Sequence, residues 1–297
     1  MALLPQIKRS LRSALWPSAA PTASMLNAML QLELSRELRS LQADVRQTMP
    51  ENPAGHGFKV YSQADEDGIL ERICATLDLQ PGVFAEIGCG DGRENNTHYL
   101  LLKGWGGVWV DGSHENAASI RSALPASDRL TLIEAFVTRE NVVDLLVPAL
   151  AARGALDVLS VDVDGNDLAI AQAAIAAFSP KIVIVEYNAK FPYPMSLSVT
   201  YDPRRTWQGD DYHGASLAAW VERLGSDYGL VCCNLAGTNA FFVRRESVQV
   251  FGSYSPQKLY QPARFHLTAL QVGHLPTLSF LADALACKDT NHAERSE

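Results

Sequence analysis

The sequence predicts an α/β fold: a mostly parallel sheet with helices on both faces, preceded by an N-terminal helical extension. Two observations predict it. From Val83 onward short apolar runs alternate with helix-period segments, the pattern of parallel strands joined by crossover helices. The first run, Val83 to Ile87, passes directly into a turn with glycines at 88, 90 and 92, and the second ends in Asp111. Glycines let a backbone take positive φ and approach a ligand closely, and an acid about twenty residues beyond such a turn is placed to accept hydrogen bonds from ribose hydroxyls.

Taken in order, residues 1–16 place Leu3, Leu4, Ile7, Leu11 and Leu15 on one helical face and Lys8, Arg9 and Arg12 on the other, with no acid before Glu33. This reads as a targeting segment or a weak membrane-surface contact, without the long apolar centre of a secretory signal. Pro17 and Pro21 break it. A helix is expected from Ser24 to Gln47, with Leu30, Leu34, Leu38, Leu41 and Val45 at spacings of four and three. That spacing makes a seam for self-association, or for packing on the chain's own domain. The linker-like MPENPAGHG follows, and the division falls at residues 1–50 and 51–297. Ser62 then reads as an N-cap with Asp65 in a capping role, leaving Gln63 free.

Strands are expected near Val83–Ile87, Val108–Asp111, Leu130–Ala135, Val158–Asp162, Ile182–Glu186, Leu230–Asn234 and Ala240–Arg244, which makes seven. Between them lie helices such as Glu115–Leu124, Asn141–Ala152 and Asp167–Phe178. In sheets of this kind ligands bind at the carboxyl ends of the strands. Two of those ends are unusually polar: VLSVDVDGND from Val158 and IVIVEYN from Ile182. Asp162, Asp164, Asn166, Asp167, Glu186 and Asn188 gather there, and hard oxygen ligands suit Mg²⁺, Mn²⁺ or Ca²⁺. The metal candidates are Asp162, Asp164, Glu186 and Asn188; the alternative for these side chains is helix capping and turn formation. An EF-hand is excluded, because Asp167 occupies the glycine position and Ala173 that of the bidentate glutamate. The D-V-D run also fits the metal-carrying D-x-D of a nucleotide-sugar glycosyltransferase.

Bulk properties narrow the function. The net charge is −8, but residues 1–48 carry six basic and three acidic groups, leaving 19 basic against 30 acidic, or −11, for the rest. A body so acidic has no nucleic-acid footprint. No apolar run reaches the ~20 residues of a membrane span. Cys74, Cys89, Cys232, Cys233 and Cys287 are odd in number and form no C-x-x-C, which reads as reduced thiols in a cytoplasmic protein. The long aromatic segment after the fifth strand exceeds ordinary connections. Tyr193, Trp207, Tyr212 and His213 are candidates to line a pocket there, with His213 as a general base or a solvated surface residue.

The glycine turn reads E-x-G-x-G-x-G, and Arg93 stands where the third glycine of a dinucleotide G-x-G-x-x-G would fall. Over about Tyr61 to Arg245 the chain resembles the class I S-adenosylmethionine-dependent methyltransferases. Ser62, Gln63, Glu66, Asp67, Gly68 and Gly214-Ala215-Ser216 are similar to the FkbM-like branch. The resemblance implies a Rossmann-like seven-stranded sheet closed by one antiparallel strand. It places Glu86, Gly88, Gly90 and Asp111 on S-adenosylmethionine, with Gln63 over it. Asp91, Asn96, Gly112, Ser113, Ala135, Phe136 and Asp162 join the cofactor positions. By likeness to the metal-dependent members, Asp162 is the fourth-strand ligand, while Glu186 and Asn188 bracket the fifth-strand position, interrupted by Tyr187. The implied activity is methyl transfer to a hydroxyl of a small-molecule or sugar-like acceptor, with Asp162 and His213 as catalytic candidates. A non-catalytic S-adenosylmethionine-binding scaffold is the remaining alternative.

Overall fold

The computed structural model describes residues 19–286; the amphipathic reading of residues 1–16 and Cys287 lie outside them. Seven strands form one sheet: β1 Val83–Ile87, β2 Gly106–Asp111, β3 Leu130–Glu134, β4 Val158–Val161, β5 Ile182–Glu186, β6 Tyr228–Cys233 and β7 Asn239–Arg244. Their order is β3-β2-β1-β4-β5-β7-β6. β1 to β5 pair in parallel, and β7 runs antiparallel to both β5 and β6. This is the sheet expected from the sequence, with one antiparallel strand.

The order fixes where ligands go. The chain starts at β1 in the middle, winds outward to β3, then returns to β4 beside β1. The carboxyl ends of β1 and β4 are therefore where the winding reverses, and a crevice opens there. β1 and β4 are buried at every residue, as strands covered on both faces must be. The covering helices include α2 Glu66–Thr76, α3 His98–Leu102, α4 His114–Ala123, α5 Val142–Leu150, α6 Asp167–Phe178 and α7 Leu217–Leu224. Phe84, Trp109, Trp220, Phe241 and Phe242 are the large side chains of the continuous core.

The helix expected from Ser24 to Gln47 spans Ala19–Thr48 and is α1. Its seam divides. Leu34 and Val45 are buried and Leu38 and Leu41 pack beside them on the chain's own body, so these four do not form a free pairing seam. Toward the N-terminus Met25, Leu26, Met29, Leu30 and Leu32 are exposed. The segment after β7 wraps back over the domain: Tyr260 Oη donates to Ala189 O, Tyr187 Oη donates to Gln261 O, and His266 meets Glu37. The last described helix, Ser279–Ala286, buries Leu281 and Leu285.

The stretch Ser62–Gly68 begins its helix later than expected. Asp65 makes no capping bond with its side chain, and α2 starts at Glu66. Ser62 Oγ instead accepts from Asp67 N, while Asp67 Oδ2 accepts from the amides of Val60, Tyr61 and Ser62. Glu66 Oε1 accepts from Asn234, Thr238 and Asn239, in and beside the β6–β7 turn. A Cβ on Gly68 would lie 2.3 Å from Phe58 N. Ser62, Glu66, Asp67 and Gly68 are thus consumed in building the fold, and Gln63 alone of the five reaches the crevice.

No helix of the described residues is long and apolar enough to cross a membrane. Cys74, Cys89, Cys232 and Cys233 are unpaired and buried.

Candidate active site

The turn after β1 carries three glycines at positive φ, +87° at Gly88, +57° at Gly90 and +77° at Gly92. The first is enforced by packing, because a Cβ there would lie 1.6 Å from Asp162 O. Gly88 N donates to Val110 O and Asp162 N to Ile87 O. These two bonds knit the tips of β1, β2 and β4 together. Gly90 is different: a Cβ there would meet nothing within 4 Å, so its backbone lies bare against the cavity it lines.

Glu86 holds the far side of the turn. Its Oε1 accepts from Asn96 N at 2.7 Å and its Oε2 from Thr97 N and Thr97 Oγ1 at 3.0 and 2.5 Å. Burial pushes its carboxyl up to about 7. Glu86 therefore shapes the turn and does not line the cavity. Three other expected cofactor residues also lie outside the cavity lining and bond within the fold. Asp91 turns to Arg93, Asn96 donates its amide to Ser160 Oγ, and Ser113 caps α4 at Asn116 N. His98 braces the turn from below, with Nδ1 at 2.8 Å from Gly92 O and its ring stacked on Tyr61 at 3.6 Å.

The cavity at the switch point has a volume of about 470 Å³. Of the sequence candidates it brings together Gln63, Gly88, Gly90, Asp111, Gly112, Ala135, Phe136, Asp162, Asp164 and Glu186. Asp111 is 8% exposed; its Oδ2 accepts from Gly90 N at 2.8 Å, and its Oδ1 from Ser113 N and Asn116 Nδ2. A carboxylate has roughly four acceptor sites, so one remains for a ligand.

The opposite wall is acidic. Asp162, Asp164 and Glu186 each offer an oxygen within 4.8 Å of the others. Burial, reinforced by Glu186, raises the Asp162 carboxyl well above the usual range, and the same two causes raise Asp164. Asp164 sits at φ +55°, uncommon for a residue other than glycine. Asp167 imposes that shape, with Oδ1 accepting from Val163 N and Oδ2 from Gly165 N. Glu186 Oε2 is buried without a hydrogen-bond partner. His213 Nδ1 lies 3.6 Å from it, and Glu186 raises the imidazole pKa.

Asn188, expected as a metal ligand, is committed elsewhere. Its Nδ2 donates to Asp211 O and His213 O, and its Oδ1 accepts from Lys190 N. It anchors the loop that delivers His213. Of the aromatic candidates, Tyr212 and His213 line a second cavity there, while Tyr193 and Trp207 do not. Asn116, Ile170 and Arg205 line the main cavity without having been singled out in the sequence. Asn116 lies three residues past a helix cap, a weak signal; Arg205 comes from the long loop, where no periodicity marks it.

No known family model matches the chain, and no curated protein does. Similar solved structures include an SAH-bound Podospora anserina methyltransferase, PaMTH1, at 15% identity, covering 76% of this chain and 96% of that one with a TM-score of 0.38. An O-methyltransferase from Bacillus cereus in complex with SAH matches at 14% identity over 73% and 91% of the two chains, TM-score 0.37. The glycopeptide N-methyltransferase MtfA complexed with sinefungin matches at 14% identity over 61% and 87%, TM-score 0.36. At such scores these likenesses carry no argument, and the fold rests on the strand order.

Proposed function

We propose that the chain is an S-adenosylmethionine-dependent methyltransferase of the FkbM-like kind, acting on a hydroxyl of a small acceptor with the help of a divalent ion. The observation that carries the reading is one cavity in which a bare glycine turn and Asp111 face the carboxylates of Asp162, Asp164 and Glu186. The residues fit the cofactor. Gly90 leaves backbone open to it, Asp111 keeps an acceptor site for a ribose hydroxyl with Asn116 alongside, and Gly112, Ala135 and Phe136 wall the far end.

When bound, S-adenosylmethionine supplies a sulfonium methyl that passes to an acceptor oxygen while the sulfur keeps the electron pair of the broken bond. The chain's part is to place that oxygen and take its proton. Three carboxylates so close repel one another unless they share protons or a cation, and the unpartnered Glu186 Oε2 fits a hard cation that also holds the acceptor oxygen. His213 beside Glu186 is placed to receive the proton in its neutral form. Unpaired Cys232 and Cys233, adjacent and buried, accord with a reducing, cytoplasmic setting.

A thermal-shift screen tests the reading, comparing S-adenosylhomocysteine, nucleotide sugars and NAD with and without Mg²⁺ or Mn²⁺. Stabilisation by S-adenosylhomocysteine alone among the organic ligands is expected. Stabilisation by a nucleotide sugar with Mn²⁺ and none by S-adenosylhomocysteine contradicts it.

A further inference from the structure

We infer that the second cavity, on the far side of His213, is where the methyl acceptor seats an uncharged aromatic ring. It has a volume of about 250 Å³ and is walled by Phe191, Leu197, Val199, Tyr212 and Ala215, with His213 at its edge. An apolar cavity of ~150 Å³ already holds benzene, so this one takes a single ring with small substituents.

The wall chemistry favours an apolar occupant, although Asn188, Ser198, Asp211 and Ser216 also line it. Its backbone groups are spent on one another: Val199 N donates to Gly214 O, Ser216 N to Leu197 O and Asn188 N to Ala215 O. Leu197 N donates to Ser216 Oγ, and Tyr212 Oη accepts from Thr200 N. Asp211 is paired with Lys190. Among the lining residues only Ser198, the Tyr212 hydroxyl proton and the second oxygen of Asp211 remain to meet a sugar, too few for its several hydroxyls, which would be buried at the cost of unmade hydrogen bonds. An aromatic ring loses nothing there.

His213 stands between the two cavities, which share no lining residue. Its ring lines the second, and its Nδ1 stands 3.6 Å from Glu186 Oε2 on the wall of the first. In the proposed pose the hydroxyl of the ring points at His213, the residue that stands between this cavity and the carboxylate rim. The inference rests on the methyl-transfer reading of the first cavity, and names the class of acceptor that reading leaves open.

The test uses the full chain and ligand-observed NMR, with para-cresol and methyl glucoside as probes. Leu197 is the position to change, because its side chain is 44% exposed. Leu197→Asp introduces a charge and Leu197→Trp fills the space; circular dichroism checks that each variant is folded. Para-cresol is expected to bind the wild type and to weaken by about tenfold or more in both variants, since a charge or a filled cavity removes the apolar site. S-adenosylhomocysteine affinity should stay unchanged and methyl glucoside should not bind. Para-cresol binding that is absent, or equal in all three proteins, overturns the inference, as does glucoside binding abolished by either variant. Loss of para-cresol in the variants, with no S-adenosylhomocysteine binding even in the wild type, supports the ring site and brings down the methyl-transfer reading alone.

Discussion

His98 shows what a single buried side chain contributes to the glycine turn. With Nδ1 bound to Gly92 O, its Nε2 is buried and unpartnered, so a second proton would have nowhere to go. Burial depresses its pKa to about 4. The unfolded chain takes up that proton near pH 6.5, the native chain only near 4, so stability is present above 6.5 and is lost as the pH falls through this window. The shift corresponds to a loss on the order of 3 kcal/mol. Glu86 works the other way, because a raised carboxyl pKa favours the native state at lower pH. Comparing melting temperature against pH for wild type and His98→Gln cancels the carboxylates. The wild type should lose more between pH 6.5 and 4, and parallel curves would refute the assignment. Asp162 gives a second residue-scale expectation. With EDTA present, Asp162→Asn should melt higher than wild type, because one of three crowded charges is gone. With Mn²⁺ added, only the wild type should gain stability, by mass action on a native-state site. A wild-type melting curve indifferent to Mn²⁺ would remove the ion from the account.

At the scale of elements, the sequence showed where helices and strands run better than what they touch. The seam of α1 was legible as apolar spacing, but spacing alone does not say whether the partner is the chain's own body or a second copy. Leu34 turns inward onto Ala64, Ala236 and Leu267, the last of them from the segment after β7, while Val45 packs into the main core beside Gly55, and neither partner leaves a local pattern. Self-association, if α1 mediates it, falls to its exposed end. Exposed apolar clusters generally mark interfaces, so Met25→Glu with Met29→Glu should lower the mass measured by light scattering without lowering the melting temperature. An unchanged mass would refute it. Removing the whole extension would be a poor test, because it strips Leu34 and Val45 from the core. The Ser62–Gly68 stretch teaches the same lesson: all four of its carboxyl and hydroxyl side chains, Ser62, Asp65, Glu66 and Asp67, hold backbone or a distant turn.

For the whole molecule, alternation of strand and helix patterns was enough to give seven strands and the position of the crevice, since parallel winding leaves few topologies. The acids at strand ends were legible for the same reason: Asp111, Asp162 and Glu186 are the last or next residue of β2, β4 and β5. Asn188, two residues past the end of β5, is engaged with the loop that carries His213. Arg205 and Asn116 were missed because they enter the cavity from a loop and a helix. In the proposed function Asp111 and the glycine turn together form one S-adenosylmethionine site. Calorimetric titration of S-adenosylhomocysteine tests it most directly. Saturable binding by the wild type is expected, weakened in folded Asp111→Ala by about 1.5–3 kcal/mol, the worth of a hydrogen bond to a charged group. Absence of binding to the wild type, or equal affinity in Asp111→Ala, would contradict it.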